Sequence, residues 1–370
     1  MIHRIAEQLI KNDFSKGKAI VVMGARQVGK TTLLEHLVDT DDCLMLNCDN
    51  HDDRADLEDK SSTELRSLVG NHKMVVIDEA QRVHNIGLTL KMLVDLKLPT
   101  QILATGSSAL SLADEINEPA TGRLFEHQLF PLSLSELAAH TSQREEQRLL
   151  EHRMIYGLYP EVVTHPEDAR RILQNLANNY LYRDLLEYRG IKKPDILQKL
   201  VRALALQVGS EVSYNELSNL IGIDKATVES YIDLLEKCYV VFRLPSYSRN
   251  LRSEIKKGKK VYFYDNGIRN ALISNFVSLE QRNDVGALWE NLMVSERVKR
   301  NSYMQSYAQM YFWRTQQQQE IDLIEEMDGK LTAYEFKWRK NNARIPKPFA
   351  ENYPDTSLQV ITPENFWDFV

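Results

Sequence analysis

Cysteine is scarce: three in 370 residues, Cys43, Cys48 and Cys238, is too few and too odd a number for a disulfide framework, and their spacing suits no zinc site. Inert thiols in a reduced, cytoplasmic compartment are expected. No apolar run approaches the length that crosses a bilayer, which excludes membrane embedding. The first stretch, MIHRIAEQLIKNDF, is interrupted by Arg4, Glu7 and Lys11, so it reads as a short amphipathic helix and not as a secretory signal. Positive charge is not in excess either. With 46 Lys and Arg against 52 Asp and Glu, a net charge of -6 and a pI of about 5.9, the whole surface cannot cling to nucleic acid. Any such contact has to come from a local patch. No internal repeat is present. What remains is an ordinary globular composition, 43% hydrophobic and 26% charged, in a chain long enough for two or three domains.

One stretch organises the rest. GARQVGKTT, Gly24 to Thr32, fits G-x-x-x-x-G-K-[ST] and follows an apolar strand, KAIVVM. Backbone N–H groups from Gly24, Ala25, Arg26, Gln27, Val28 and Gly29 are expected to turn toward a polyphosphate at the start of the helix near Lys30. Lys30 then reaches the β- and γ-phosphates, and the Thr31 hydroxyl, followed by Thr32, holds Mg²⁺. The bland reading, a chance glycine-lysine turn, does not explain why strand, loop and helix come in this order.

Three more apolar runs, CLMLNC, MVVID and QILAT, alternate with helical stretches, the pattern of an α/β layer with a parallel sheet covered on both faces. The run MVVIDEAQ ends in Asp78 and Glu79 at the carboxyl edge of that sheet, where ligands of open α/β folds bind. Asp78 is expected to engage Mg²⁺ and Glu79 to orient or deprotonate the attacking water. The next run ends in ATGSSAL, which puts Thr105 and Ser107 at the same edge; Ser107 is preferred as a γ-phosphate sensor, though capping the next helix explains a serine equally well. In TGRLFEHQLFPLSLSEL, Arg123 precedes a strand and is either an arginine finger directed at a neighbouring subunit's nucleotide or a surface arginine.

Together, GARQVGKTT, VVIDEAQ, ATGSS and TGR with LFPLSLSEL resemble the bacterial and archaeal AAA+ ATPases that carry a C-terminal region related to restriction-type nucleases. The resemblance runs through nearly the whole chain. It implies ATP and Mg²⁺ as cofactors, an ATPase core at 1–143, a helical and winged-helix middle at 144–279, and a nuclease-like end at 280–370. A homo-oligomer, with a closed ring more plausible than a filament, goes with it.

The middle begins helical, with DARRILQNLANNYLYRDLLEY read as one long amphipathic helix. From Pro194 the order is helix, short helix, turn at Gly222, helix, strand, that of a winged helix-turn-helix, with Asp224 capping its would-be recognition helix. Such modules bind DNA or dock proteins. Beyond it, Arg243, Arg249, Arg252, Lys256, Lys257, Lys259 and Lys260 are opposed locally only by Glu254, and a DNA backbone contact indifferent to sequence is expected there. In the last part Asp322 lies in one strand, and Glu335 and Lys337 alternate with Tyr334, Phe336 and Trp338 in another. This D…E-x-K arrangement resembles PD-(D/E)XK nucleases, whose carboxylates hold Mg²⁺ while the lysine aligns water. Glu290, or less plausibly Glu296, is the candidate additional carboxylate. Ordinary surface ion pairs on a hairpin are the alternative. Gln316 to Gln319 stand where a glycine turn is expected, and the tail from Pro346 reads helix-strand-helix. Two functions compete: an ATPase that remodels or processes DNA, or a nucleotide-controlled switch whose C-terminal part binds a protein.

Overall fold

The computed structural model describes residues 2–38, 42–106, 120–180, 194–248, 258–339 and 342–370. They group into two compact units, Met1–Leu132 with Lys237–Tyr239, and Ser133–Glu236 with Val240–Val370.

The first unit is a parallel α/β layer. Strands β1 (Ala19–Met23), β2 (Cys43–Asn47), β3 (Met74–Asp78), β4 (Gln101–Gly106) and β5 (Leu124–Gln128) form one five-stranded sheet in the order β2-β3-β4-β1-β5, every pair parallel. Ala19, Ile20, Val21 and Val22 are all fully buried, because a strand in mid-sheet with both faces covered meets apolar neighbours on either side. The edge strand β2 differs from its apolar sequence. Only Leu46 is buried there and Met45 is 47% exposed, since an edge position leaves part of the strand uncovered. Insertion of β4 between β1 and β3 brings the carboxyl ends of three strands side by side, and the loop after β1 lies across them.

The second unit opens with short helices, among them Leu134–His140, Gln143–Arg148, Leu150–Tyr156 and Ala169–Asn175. Of the expected long helix, Ala169–Asn175 is α-helical and passes into a π-turn at Leu176–Tyr180, and the rest of the segment lies outside the described residues. Helices Pro194–Leu206, Tyr214–Ile221 and Lys225–Lys237 follow, with an antiparallel sheet of β6 (Glu211–Val212), β7 (Val241–Pro245) and β8 (Lys259–Phe263) in the order β6-β8-β7. Asp224 does cap the third helix, accepting the Thr227 N–H at 2.9 Å.

A 19-residue helix, Val285–Tyr303, then precedes β9 (Gln309–Arg314), β10 (Glu320–Met327), β11 (Lys330–Phe336) and β12 (Ser357–Ile361), which form a sheet in the order β12-β11-β10-β9. Strands β9 to β11 are antiparallel and β12 joins β11 in parallel. Asp328 and Gly329, both at positive φ, make the two-residue turn between β10 and β11 that the sequence announces. The glutamine run closes the other hairpin without glycine: Gln318 adopts φ 63°, and its N–H donates to the Thr315 carbonyl at 3.0 Å. The tail ends in a single 3₁₀ turn, Phe366–Asp368, and not in a helix.

Candidate functional site

Local backbone geometry builds the phosphate loop, though Gly24 serves a different need from the one expected. A Cβ there would stand 2.1 Å from the Leu129 carbonyl oxygen, so the position requires absence of a side chain against the chain leaving β5. Gly29 is the residue that supplies a left-handed turn, φ 94°, as N-cap of the helix Lys30–Leu37. Gln27 adds a second positive φ, 61°. Ala25 and Val28 face inward, 7% and 0% exposed. Lys30 is buried, and its Nζ donates to the carbonyls of Gly24 and Ala25 at 3.0 and 2.9 Å, which folds the ammonium over the loop. Arg4 props the loop from below: its guanidinium donates to the Val28 carbonyl at 2.7 Å and the Phe130 carbonyl at 2.6 Å. In the sequence Arg4 is only a charge interrupting an apolar helix, and nothing marks it as loop support.

Asp78, at the end of β3, meets the helix Lys30–Leu37 and the end of β4. Its Oδ2 accepts the Thr31 hydroxyl at 3.1 Å and its Oδ1 accepts the buried Thr105 hydroxyl. Glu79 follows with φ 53°, held there by its N–H donating to Thr105 Oγ1 at 3.1 Å and Asp78 Oδ1 at 3.2 Å. A non-glycine residue at such φ is uncommon and strained, and is held by surrounding contacts. The Gln81 amide donates to Glu79 Oε2. Thr105 therefore fills the hydroxyl position beside Asp78, whereas Ser107 lies outside the described residues. Gln81 is a site neighbour that sequence reasoning passed over; its spacing two residues beyond the acidic pair was the available signal. Thr31 and Asp78 offer hard oxygen donors beside a helix N-terminus, a set that fits Mg²⁺ held with phosphate oxygens. Thr32 follows Thr31 into the helix and is exposed.

Arg123 sits at the opposite edge of the sheet. Its carbonyl accepts the Ala19 N–H at 3.0 Å, at the start of β1, while the phosphate loop leaves the far end of that five-residue strand. At ~3.3 Å per residue the separation along the strand is about 16 Å. Its Nε donates to Asp95 Oδ1 at 2.7 Å in an exposed pair.

The second candidate group lies in the C-terminal sheet. Asp322, from β10, is 9% exposed, and its Oδ2 accepts the Phe336 N–H at 2.9 Å; Lys337 Nζ lies 2.6 Å from Glu335 Oε2 and 3.7 Å from Asp322 Oδ2. Burial followed by the Asp322 charge pushes the Glu335 carboxyl up. Burial opposes the Lys337 ammonium, but the charges of Asp322 and Glu335 outweigh it and hold its pKa above the ordinary value. Glu290, on the helix Val285–Tyr303, does approach this group, yet its Oε1 is taken by Lys260 Nζ at 2.9 Å and by the Tyr262 hydroxyl at 2.6 Å. Burial raises its pKa to about 7; Lys260 lowers it and Asp322 raises it further. Glu296 is elsewhere, fully engaged by the Leu134 N–H at 2.7 Å and Lys299 at 2.6 Å.

The third carboxylate expected of the metal site is taken up by a lysine. Among the described residues no group of three or more His, Cys, Asp or Glu side chains could hold a metal ion. Lys260 is 1% exposed and paired with both Glu290 and Glu320, so a fixed ammonium occupies the place beside Glu290.

That same burial corrects the basic wing. Lys260 has no access to a phosphate backbone, and Arg243 is tied to Asp233 at 2.6 Å and to Glu236. Both faces of β8 are covered from Lys260 to Phe263, while Lys259 at its start stays half-exposed. Arg249, Arg252, Lys256 and Lys257 lie outside the described residues.

Comparison with known proteins follows this division. Residues 16–138 match the AAA domain family, and 147–279 and 285–365 match two domains of unknown function, DUF8612 and DUF4143. An uncharacterised protein of Mycobacterium tuberculosis is 26% identical over 339 residues, covering 90% of this chain and 73% of its own. Another, from Haemophilus influenzae, is 26% identical over 292 residues, 72% of each chain. A Walker-type ATPase of Pyrococcus abyssi shares the fold over 74% of this chain and 96% of its own, with a TM-score of 0.51 at 15% identity. No helix among the described residues is long and apolar enough to cross a membrane.

Proposed function

We propose that this chain, a P-loop ATPase with an AAA domain, hydrolyses ATP at the edge formed by β1, β3 and β4 and uses the turnover to change its hold on nucleic acid. The convergence of Thr31, Thr105 and Glu79 on Asp78 carries the reading. In it, loop N–H groups and Lys30 bind the β- and γ-phosphates. Thr31 and Asp78 would hold Mg²⁺, which would supply charge neutralisation at the phosphate oxygens. Glu79 takes the proton of the water that attacks the γ-phosphorus as ADP leaves, and Gln81 fixes the direction of its carboxylate. Arg123, too far from its own loop, acts on the nucleotide of a neighbouring copy in a homo-oligomer.

Support for nucleic acid is of a different kind. Residues 194–263 have the element order of a winged helix-turn-helix, and half-exposed Lys259 adjoins the stretch containing Arg249, Arg252, Lys256 and Lys257. Metal-dependent cleavage forms no part of the proposal, because Glu290, the third carboxylate, is held by Lys260. The test is the ATPase rate with and without single-stranded, duplex and branched DNA. Stimulation by any form supports the reading. DNA-indifferent turnover with nucleotide-dependent assembly would replace it with the nucleotide-controlled switch that binds a protein partner.

A further inference from the structure

A cavity of about 550 Å³ opens beside the C-terminal carboxylates, lined among others by Glu290, Asp322, Lys337, Trp338 and Arg339. Its size falls in the ~300–1,000 Å³ range of small-molecule sites and is too small for a duplex. Trp338 is half-buried, and the fully buried Trp289 meets it edge-on, centroids 5.5 Å apart at 61°. Trp289 is itself fixed by its Nε1–H donating to the Ile361 carbonyl at 3.2 Å. The Trp338 ring that lines the cavity thus packs against a fixed neighbour, which lowers the cost of ordering it as a stacking surface.

The charges around the cavity are compensated from within. Glu290, Glu320, Asp322 and Glu335 meet Lys260, Lys337 and, at 3.5 Å from Glu320, Arg314; of the other charges on the lining, Arg282 is paired with Asp284, and the exposed Arg339 stands against Glu280. An approaching phosphate therefore does not face a bare cluster of negative charge, although Glu280 on the same lining disfavours a second one. Lys337, Trp338 and Arg339 all line this one cavity, which puts a cation pair and an indole within the span of a single nucleotide.

We propose that this cavity takes one unpaired nucleotide of a single strand or frayed end, its base stacked on Trp338 and its phosphate on Lys337 and Arg339, with Lys260 standing where a divalent cation would otherwise be needed. This rests on the nucleic-acid reading above and names its substrate as single-stranded.

The test is fluorescence anisotropy of the full-length protein with a labelled oligothymidine, the same strand with abasic sites, and a closed DNA hairpin, each in EDTA and in Mg²⁺. Oligothymidine should bind equally in both buffers. Trp338→Ala should weaken it about 10- to 100-fold, Trp338→Phe should recover most of the loss, and abasic substitution should mimic it; hairpin affinity should not move. Thermal melting of both variants checks that they fold. Hairpin and single strand binding alike, with Trp338→Ala changing neither, overturns the cavity assignment and leaves the nucleic-acid reading standing. Binding that requires Mg²⁺ overturns the role given to Lys260. Failure to bind any of the three probes overturns the nucleic-acid reading itself.

Discussion

Glu79 and Gln81 show how one side chain sets the chemistry of another. Glu79 Oε2 accepts the Gln81 amide, which fixes the direction of the carboxylate that takes a proton from water. Gln81→Ala should lower kcat for ATP with KM little changed. An unchanged kcat would show that this contact does not orient Glu79. At Glu290 charge is linked to stability. Its folded pKa of about 7 lies above the ordinary 4.5, so the folded chain binds this proton more tightly than the unfolded one. Its contribution is fully present below pH 4.5 and is lost as pH rises through 7, on the order of 3 kcal/mol over that window. Urea midpoints should fall less steeply from acid to neutral pH in Glu290→Gln, which leaves Lys260 without a charged partner only where Glu290 would have ionised.

Among the elements, the β9–β10 hairpin carries a removable strain. Gln318 holds φ 63° without glycine, while the next hairpin assigns Gly329 and Asp328 to its positive-φ positions. Gln318→Gly should stabilise the protein by up to about 1 kcal/mol, the left-handed penalty partly offset by the extra freedom of glycine in the unfolded chain. Thermal melting measures it; a lowered Tm would show that the Gln318 side chain contributes more than its backbone costs. The helix Asn266–Leu272 depends on a cap of another kind, since Asp265 accepts both the Ile268 N–H at 3.1 Å and the Leu158 N–H at 2.6 Å. A capping residue that also ties a distant turn fixes tertiary as well as local structure.

For the whole molecule, the sheet order decides what Arg123 can do. At the amino edge it cannot serve its own phosphate loop, so a catalytic role has to cross between copies. The exposed pair with Asp95 is no obstacle, because such pairs contribute about 0–1 kcal/mol. Mixtures of Arg123→Ala and Glu79→Gln proteins, each inactive alone, should regain part of the ATPase activity through interfaces that combine one intact Arg123 with one intact Glu79. Normal turnover by Arg123→Ala alone returns it to the status of a surface arginine.

The phosphate loop, the acidic pair and the apolar strands were legible in the sequence because each rests on local chemistry: glycine where a side chain is excluded or φ is positive, apolar runs where both faces are covered, and turn residues such as Asp328 and Gly329. Contacts between distant segments were not. Arg4 beneath Val28, Thr105 on Asp78, and Lys260 between Glu290 and Glu320 bring together residues 24, 27, 30 and 60 positions apart. A run of basic residues reads the same whether its lysines face water or carboxylates. Burial of β8 on both faces turned Lys260 from an expected DNA contact into the fixed cation of the C-terminal cluster, because an ammonium removed from water is stable only beside the negative charges that the folded chain places there.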